Sequence, residues 1–498
     1  MKRLLIIAGI CLLITVLVGD MALANTGRHY MRIGRLWTIA EYDGAEGWSG
    51  QYAWPGGYVR YPNGSIQEIW GANVRKTGTL AGCKDWTGPN GKVYPYWTSG
   101  MYRTYDYNYS PYWVDQSNQT ALLCVGQTVY QRWAQPNVFV EGKSITPDGG
   151  DNFLNAHLGE ARHDASTAID PTLVSERAIK SVWRYTMGVE LERWMYGYST
   201  PKHQDYTLMD IKLTNNGKVY GLKGDTPFLW PYTTATANWP YVLQNQKIKG
   251  FWWSWTCNPW TGRSGRDYSI STGDDEVGEF VTPFASEGND RRFFLFYDGD
   301  KPGDAVKDFG DPSKDERWIE ILSPAWIVQG ALYADKSTKE KVNDNKQPNC
   351  TIIRQERDYD LGRVVKTYQD QYEAQFQAGQ HWQLNTPHRD IAPNITIPSG
   401  YTQFGPYDMD FNESINISYV IAVGGMDHES CVKYGKKAWD AKYSTAVMDE
   451  IEPIFKAGRD SAYKALRAAN WNVNGPKSGN RKRYDVPDPP RPPANLWV

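Results

Sequence analysis

Trp183-Arg184-Tyr185-Thr186-Met187-Gly188-Val189-Glu190-Leu191-Glu192 alternates apolar and polar residues at every step. A strict period of two is the pattern of a β-strand with one buried and one wet face. A loop from Tyr196 to Asp205, carrying Gly197 and Pro201, then turns the chain. The next strand points Met209, Ile211 and Leu213 inward and Asp210, Lys212 and Thr214 outward, and Asn215-Asn216-Gly217 stops it. Asn and Gly tolerate the positive φ of a tight turn. The stretch from Ser181 to Gly217 therefore predicts a half-buried antiparallel pair. It predicts a scaffold and no chemistry.

Outward from this pair the same texture recurs. Arg32 to Gly57 and Tyr94 to Tyr112 read as short aromatic strands separated by glycine turns, the expected form of an all-β region. Phe293 to Tyr297 is continuously apolar, which suits a strand covered on both faces. Trp318 to Leu332 is a second such run, broken by Pro324, and Ile415, Ile417, Tyr419, Ile421 and Val423 resume the period of two before Gly424-Gly425. Lys218 to Thr282 reads as loop-rich. Asp151 to Asp170 reads as a short helix or compact loop, with Phe153, Leu154, His157, Leu158 and Ala161 along one face.

From Glu429 the period changes. Tyr434, Ala438, Tyr443, Met448, Ile451 and Phe455, then Ala462, Leu466 and Ala469, recur at helical spacing, with Gly458 as a break. This predicts two helices packed on the sheet edge. Between Asn474 and Pro493 the chain is polar, and Pro487, Pro489, Pro490, Pro492 and Pro493 predict a stiff extended linker. The expected fold class is mainly β, a β-sandwich-like module of antiparallel sheets with a short helical segment near the C-terminus. The expected domains are a leader at 1–24, a β-rich module at 25–428 with sub-domains of about 25–175 and 176–428 as one reading, a helical segment at 429–475, a linker at 476–492 and the start of a further domain at 493–498.

The N-terminus indicates compartment. Lys2 and Arg3 precede an apolar run from Leu4 to Val18, and Ala22-Leu23-Ala24 supplies a small-x-small cleavage pattern, so a secretory signal peptide is expected. The run is short for a membrane span, and no stable membrane insertion is expected after cleavage. Lys and Arg number 54 against 56 Asp and Glu, and the lone basic cluster, Lys477, Arg481, Lys482 and Arg483, lies in the linker, which argues against nucleic acid. Cys83, Cys124, Cys257, Cys350 and Cys431 remain after cleavage. Their number is odd, they form no Cys-x-x-Cys pair, and Cys83 with Cys124 is the pairing expected.

Several stretches together resemble a family of large exported bacterial proteins, mostly uncharacterised. In these a β-rich module precedes fibronectin type III domains and a C-terminal sorting domain of the type IX secretion system. The matching stretches are Gly34-Arg35-Leu36-Trp37, Asp210 to Gly217, Phe296-Tyr297-Asp298-Gly299-Asp300, Leu322-Ser323-Pro324 with Ala331 to Ser337, and Phe404-Gly405-Pro406-Tyr407-Asp408. They span most of the mature chain. The closing Pro492-Pro493-Ala494-Asn495-Leu496-Trp497-Val498 looks like the start of a fibronectin type III domain, and no sorting signal is present. The resemblance implies export and a place in a larger surface protein, and it carries over no catalytic residue.

Three sets of residues stand out as candidate sites. Asp298, Asp300, Asp304 and Asp308 form an acidic loop whose alternating carboxylates suit Ca²⁺, although Pro302 and Phe309 break the helix-loop-helix calcium pattern; the bland alternative is a solvated turn. Trp252, Trp253, Trp255 and Trp260 suit either a sugar-stacking platform or buried core. Asp274, Asp275, Glu276 and Glu279 would be the carboxylates of a glycosidase built on that platform. His157, Glu160 and His163 lack zinc-protease spacing and read as a polar surface segment. No Gly-x-Ser-x-Gly element, phosphate loop or His-Glu-x-x-His motif is present. The Asn394, Asn412 and Asn416 sequons read as chance in a bacterial protein.

The expected function is therefore a secreted or cell-surface, non-enzymatic interaction or adhesion module, with surface glycans or proteins as partners. The alternative is a carbohydrate-binding protein or glycoside hydrolase using Trp252 to Trp260. A filament subunit, the third reading, would present an open sheet edge.

Overall fold

A computed structural model describes residues 28–31, 33–41, 54, 58–60, 66–68, 73–88, 91–101, 123–134, 137–144, 167–219, 222–223, 226–227, 241–243, 245–260, 276–300, 307–314, 316, 319–355, 398–475, 486, 491 and 495–497. Fourteen strands form its two large sheets. They are β1 (Asn73–Thr87), β2 (Val93–Met101), β3 (Leu123–Gln131), β4 (Thr167–Ile169), β5 (Arg177–Arg184), β6 (Val189–Gly197) and β7 (Tyr206–Asn215). Then come β8 (Ile248–Trp260), β9 (Glu276–Val281), β10 (Phe293–Asp298), β11 (Ala325–Ala334), β12 (Cys350–Gln355), β13 (Pro398–Met409) and β14 (Ser414–Gly425). Two helices follow, α1 (His428–Asp440) and α2 (Thr445–Asn474).

The alternation around Trp183 is real, but the chain does not run straight through it. A tight turn separates β5 from β6: Tyr185 N–H donates to Val189 O at 2.8 Å, Gly188 N–H to Tyr185 O at 3.0 Å, and Gly188 takes φ 87°. One expected strand is thus two. The pattern persists through the turn because the second sheet closes over the hairpin tip. Trp253 Nε1 donates to Tyr185 Oη at 2.9 Å, Tyr185 Oη to Thr79 Oγ1 at 2.7 Å, Trp97 Nε1 to Thr186 Oγ1 at 2.9 Å and Trp86 Nε1 to Met187 O at 3.1 Å. Tyr185 and Met187 are accordingly as buried as Trp183 and Leu191. β7 follows its expected pattern, with Met209, Ile211 and Leu213 in the core and Gly217 at φ 65° ending the segment.

The larger sheet has nine strands in the order β4-β3-β5-β6-β7-β14-β11-β10-β9, the smaller has five in the order β12-β13-β8-β1-β2. Within the two sheets only the β3–β4 pair is parallel. Ile211, Ile327, Phe294 and Ile417 on the larger sheet meet Trp86, Phe251, Trp253 and Phe404 on the smaller in one core. The opposite face of the larger sheet carries Leu208, Leu295, Trp326, Val328 and Val420, packed on Phe455, Ala462, Leu466 and Ala469 of α2. The architecture is a mainly-β sandwich with a helical third layer, and the central sheet is buried on both faces. Phe293 to Tyr297 of β10 reads as a continuous apolar run for that reason, and β11 is buried at every position.

Several expectations change. The long helix α2 lies on the sheet face, not its edge, and spans 30 residues without a break at Gly458. Gly458 instead marks the closest approach: a Cβ there would lie 2.5 Å from Trp326 Cδ1, and one on Gly424 would lie 2.1 Å from Ala462 N. The helical break falls at 441–444, where α1 ends and the Ser444 carbonyl receives the first N–H groups of α2. The Lys218–Thr282 region contains the central strand of the smaller sheet, β8. Cys83 is a free, buried thiol, which overturns its pairing with Cys124. The two lie in different sheets, Cys83 opposite Trp97 and Cys124 opposite Trp183. Packed sheets stand about 10 Å apart, and a disulfide needs Cα atoms within about 7 Å. At the C-terminus, Asn495–Trp497 pairs in parallel with Asn137–Val140 of the module itself. The expected helix or loop at 151–166 and the linker residues 476–485 lie outside the described residues.

Candidate functional site

A cleft of about 530 Å³ opens between α2 and the β10–β11 end of the larger sheet, within the usual size of a ligand pocket. Its floor comes from two neighbouring strands. Phe296 pairs with Ile327, and one step further along the same register Tyr297 meets Trp326. Their rings stack with centroids 4.0 Å apart and planes 14° from parallel. The indole is then fixed from the other side: its Nε1 donates to the Phe455 carbonyl of α2 at 2.9 Å, and Gly458 leaves room for its edge. The Phe455 ring lies 5.2 Å from Trp326, and Phe309 6.3 Å from Phe455. Locked rotamers of this kind give a binding surface its shape before any ligand arrives.

Charged side chains form the walls. Glu279 of β9, Asp300, Lys307 and the α2 residues Glu452, Lys456 and Arg459 all line the cleft. The α2 trio is spaced i, i+4, i+7, which puts it on one helical stripe. Lys307 Nζ lies 2.7 Å from Asp449 and 3.3 Å from Glu452, and Lys456 also pairs with Glu452. Hydrogen bonding from Lys456, reinforced by Lys307, holds the Glu452 carboxyl below the usual carboxylate range, and the bond to Asp449 raises the Lys307 ammonium. Lys456 Nζ stands 5.6 Å above the Phe309 ring. Arg459 has no ion pair among the described residues; burial pushes up the Tyr463 phenol, a rise that the Arg459 charge opposes and Glu279 reinforces. Among the described residues the lining contains no serine, cysteine or histidine.

Of the expected site residues, Asp300 and Glu279 line this cleft and Asp308 adjoins it. Asp300 lines it, and Asp308 lies between the lining residues Lys307 and Phe309, itself buried and 3.5 Å from Lys314 Nζ. Asp298 is fully buried on β10, opposite Glu276, and shares the inter-sheet side with Phe294 and Phe296. Asp304 lies outside the described residues. Among the described residues no three His, Cys, Asp or Glu side chains converge as a metal site would require. The tryptophan set is core: Trp252, Trp253 and Trp255 are 5%, 0% and 1% exposed. Stacking on a sugar needs an open ring face, and these three offer none. Their clustering follows from a central strand covered on both sides, with bulges between Ile248 and Trp253 shifting the register. Trp260 ends β8 opposite Asn73, and its side chain lies outside the described residues. Of the proposed acids, Glu279 lines the cleft, Glu276 begins β9, and Asp274 and Asp275 lie outside the described residues, as do His157, Glu160 and His163.

Tyr297, Trp326, Lys307, Glu452, Lys456 and Arg459 carry the site and were not singled out by pattern. The i, i+4, i+7 stripe on α2 is visible in the sequence, but what it faces is not. No protein-family model matches this chain, and no curated protein matches it.

Proposed function

We propose that this chain is an exported, non-enzymatic β-rich interaction module of a larger bacterial surface protein, and that it engages its partner through the cleft beneath α2. The observation that carries the reading is the cleft itself: a rigid Tyr297–Trp326 floor under walls of fixed charge. The chemistry of the walls favours binding over catalysis. Among the described residues no hydroxyl or thiol nucleophile of Ser, Thr or Cys lines them, and Glu452, ion-paired and easily ionised, is a poor proton acceptor near neutral pH. The N-terminal leader pattern and the family resemblance support export and a place in a longer surface protein.

The test is a panel of surface polysaccharides and purified surface proteins, presented to the mature protein with binding and turnover both followed. Saturable binding without product, weakened by Lys456→Gln, is the expected result. Release of cleaved glycan, or binding that ignores Lys456→Gln, overturns this assignment.

A further inference from the structure

We infer that Lys341 and Asn416 join in an amide cross-link, which the folded chain forms itself with Asp335 as the acid–base group. Asp335 follows β11, and its side chain is fully buried. One of its oxygens, Oδ2, accepts from Lys341 Nζ at 3.0 Å and from Asn416 Nδ2 at 2.8 Å. An amine and a carboxamide thus meet on a single carboxylate oxygen. Lys341 Nζ also donates to the carbonyl of Ser414, two residues before Asn416, so the amine lies against that stretch of β14.

The surroundings hold each group in place. Asn416 N–H donates to the same Oδ2 at 2.7 Å, and Asp335 N–H returns a bond to Asn416 O at 2.9 Å. Tyr333 Oη donates to Oδ1 of Asp335 at 2.8 Å. The loop that carries Lys341 is closed at its base, with Lys336 N–H bonded to Val342 O at 3.0 Å and Asp344 N–H to Ala334 O at 2.9 Å. Groups fixed side by side react without a further loss of translational freedom. Other lysine ion pairs among the described residues, such as Lys336 with Glu340 and Lys437 with Glu450, end on carboxylates open to solvent.

The step balances without a co-reactant. Asp335 takes a proton from the Lys341 ammonium, and the free amine adds to Asn416 Cγ. The carboxyl then gives its proton to Nδ2 and takes one of the two left on Nζ. The Cγ–Nδ2 bond breaks, and the departing ammonia carries off that last proton as ammonium, which restores the carboxylate. The product is an Nζ–Cγ amide that ties the loop after β11 to β14, its neighbour in the larger sheet. Lys341→Met and Asp335→Asn both lack this bond, so their relative stability still reports the hydrogen-bonded network.

The experiment is the intact mass of the mature protein, reduced and denatured, followed by peptide mapping. The expected mass is one ammonia below that of the sequence, with Lys341 and Asn416 in one branched tryptic peptide. Lys341→Arg keeps the charge but offers no amine, and Asp335→Asn cannot carry the proton, so both should show the full mass. The native protein decides the matter even if Asp335→Asn fails to fold. Full mass in the native protein, ammonia loss that maps elsewhere, or loss that persists in either variant overturns the inference.

Discussion

Gly424 of β14 and Gly458 of α2 touch backbone to backbone: a Cβ on Gly424 would fall 2.7 Å from the Gly458 carbonyl oxygen and 2.1 Å from Ala462 N. No side chain can move aside there, because the obstructing atoms are main chain. Gly424→Ala is therefore expected to push α2 off the sheet and lower stability by about 2–3 kcal/mol, the upper range for overpacking. Urea unfolding of the two proteins measures it. Gly91, whose Cβ would meet nothing within 4 Å, stands at φ 76° and separates backbone strain from crowding: Gly91→Ala should cost about 1 kcal/mol. Equal losses at the two positions would contradict the close approach.

Acid should loosen the far end of α2 through one histidine. Asn472 Nδ2 of α2 donates to Tyr206 Oη at 2.9 Å, and that hydroxyl shares a hydrogen bond of 2.7 Å with His203 Nδ1, so the imidazole and α2 meet at one phenol. Burial, then the charge of Lys202, lowers the His203 pKa from its ordinary value of 6.5. The folded state thus resists a proton that the unfolded chain accepts. Its contribution is complete above the unfolded value and is lost as pH falls below about 6.5 toward the depressed folded value. Asp205 nearby works in the opposite sense and lower down the scale. Burial raises its carboxyl above 3.8, against the pull of Trp54 and Arg35, so its contribution is present at low pH and fades as pH rises through the raised folded value. Stability measured from pH 7.5 to 5.5 should fall in the native protein and stay flatter in His203→Gln. Parallel curves would rule out His203 as the source.

Asp335 should be among the least replaceable side chains. It is fully buried after β11 and accepts from Tyr333 Oη at 2.8 Å, Lys341 Nζ at 3.0 Å, Asn416 N at 2.7 Å and Asn416 Nδ2 at 2.8 Å. Asparagine would turn one of those oxygens into a donor facing donors. Asp335→Asn is expected to cost about 3 kcal/mol, as for loss of one partner in a buried charged network. Lys341→Met, which removes a half-exposed partner, should cost about 1 kcal/mol. Denaturant midpoints rank the two, and the reverse order would refute this network.

Calcium, if the acidic loop takes it, is held without Asp298. That side chain shares the inter-sheet side with Phe294 and Phe296, whereas Asp300 opens on the cleft. The shift of melting temperature on adding Ca²⁺ should be the same in Asp298→Asn as in the native protein and absent in Asp300→Ala. A shift that vanishes in Asp298→Asn would place both carboxylates in one site.

The strand pattern was legible wherever one strand faces a core on one side and solvent on the other, as at Met209 to Leu213. It misled at Tyr185 to Gly188 because burial by a distant sheet imposed the same alternation on a turn. It was equivocal at Trp252, Trp253 and Trp255, since a run of large rings looks alike whether it lines a groove or fills a core. The expected core reading of those rings and their buried position agree; the platform reading does not survive for them. Asp300 was found by its local acidity. Lys456 and Arg459 were not, because exposed basic residues on an amphipathic helix are ordinary until the surface they face is known.

The residues by themselves determined the period of two, the change to helical spacing near Glu429, the apolar runs that only a doubly covered strand can afford, and a leader-like N-terminus. Each depends on neighbours a few positions apart, where chain geometry leaves little choice. The tertiary structure alone decided that α2 lies on the central sheet, that Gly424 and Gly458 touch, and that Tyr297 stacks on Trp326 beside Arg459. Those contacts join residues far apart in the chain, and packing of whole layers, not local propensity, brings them together.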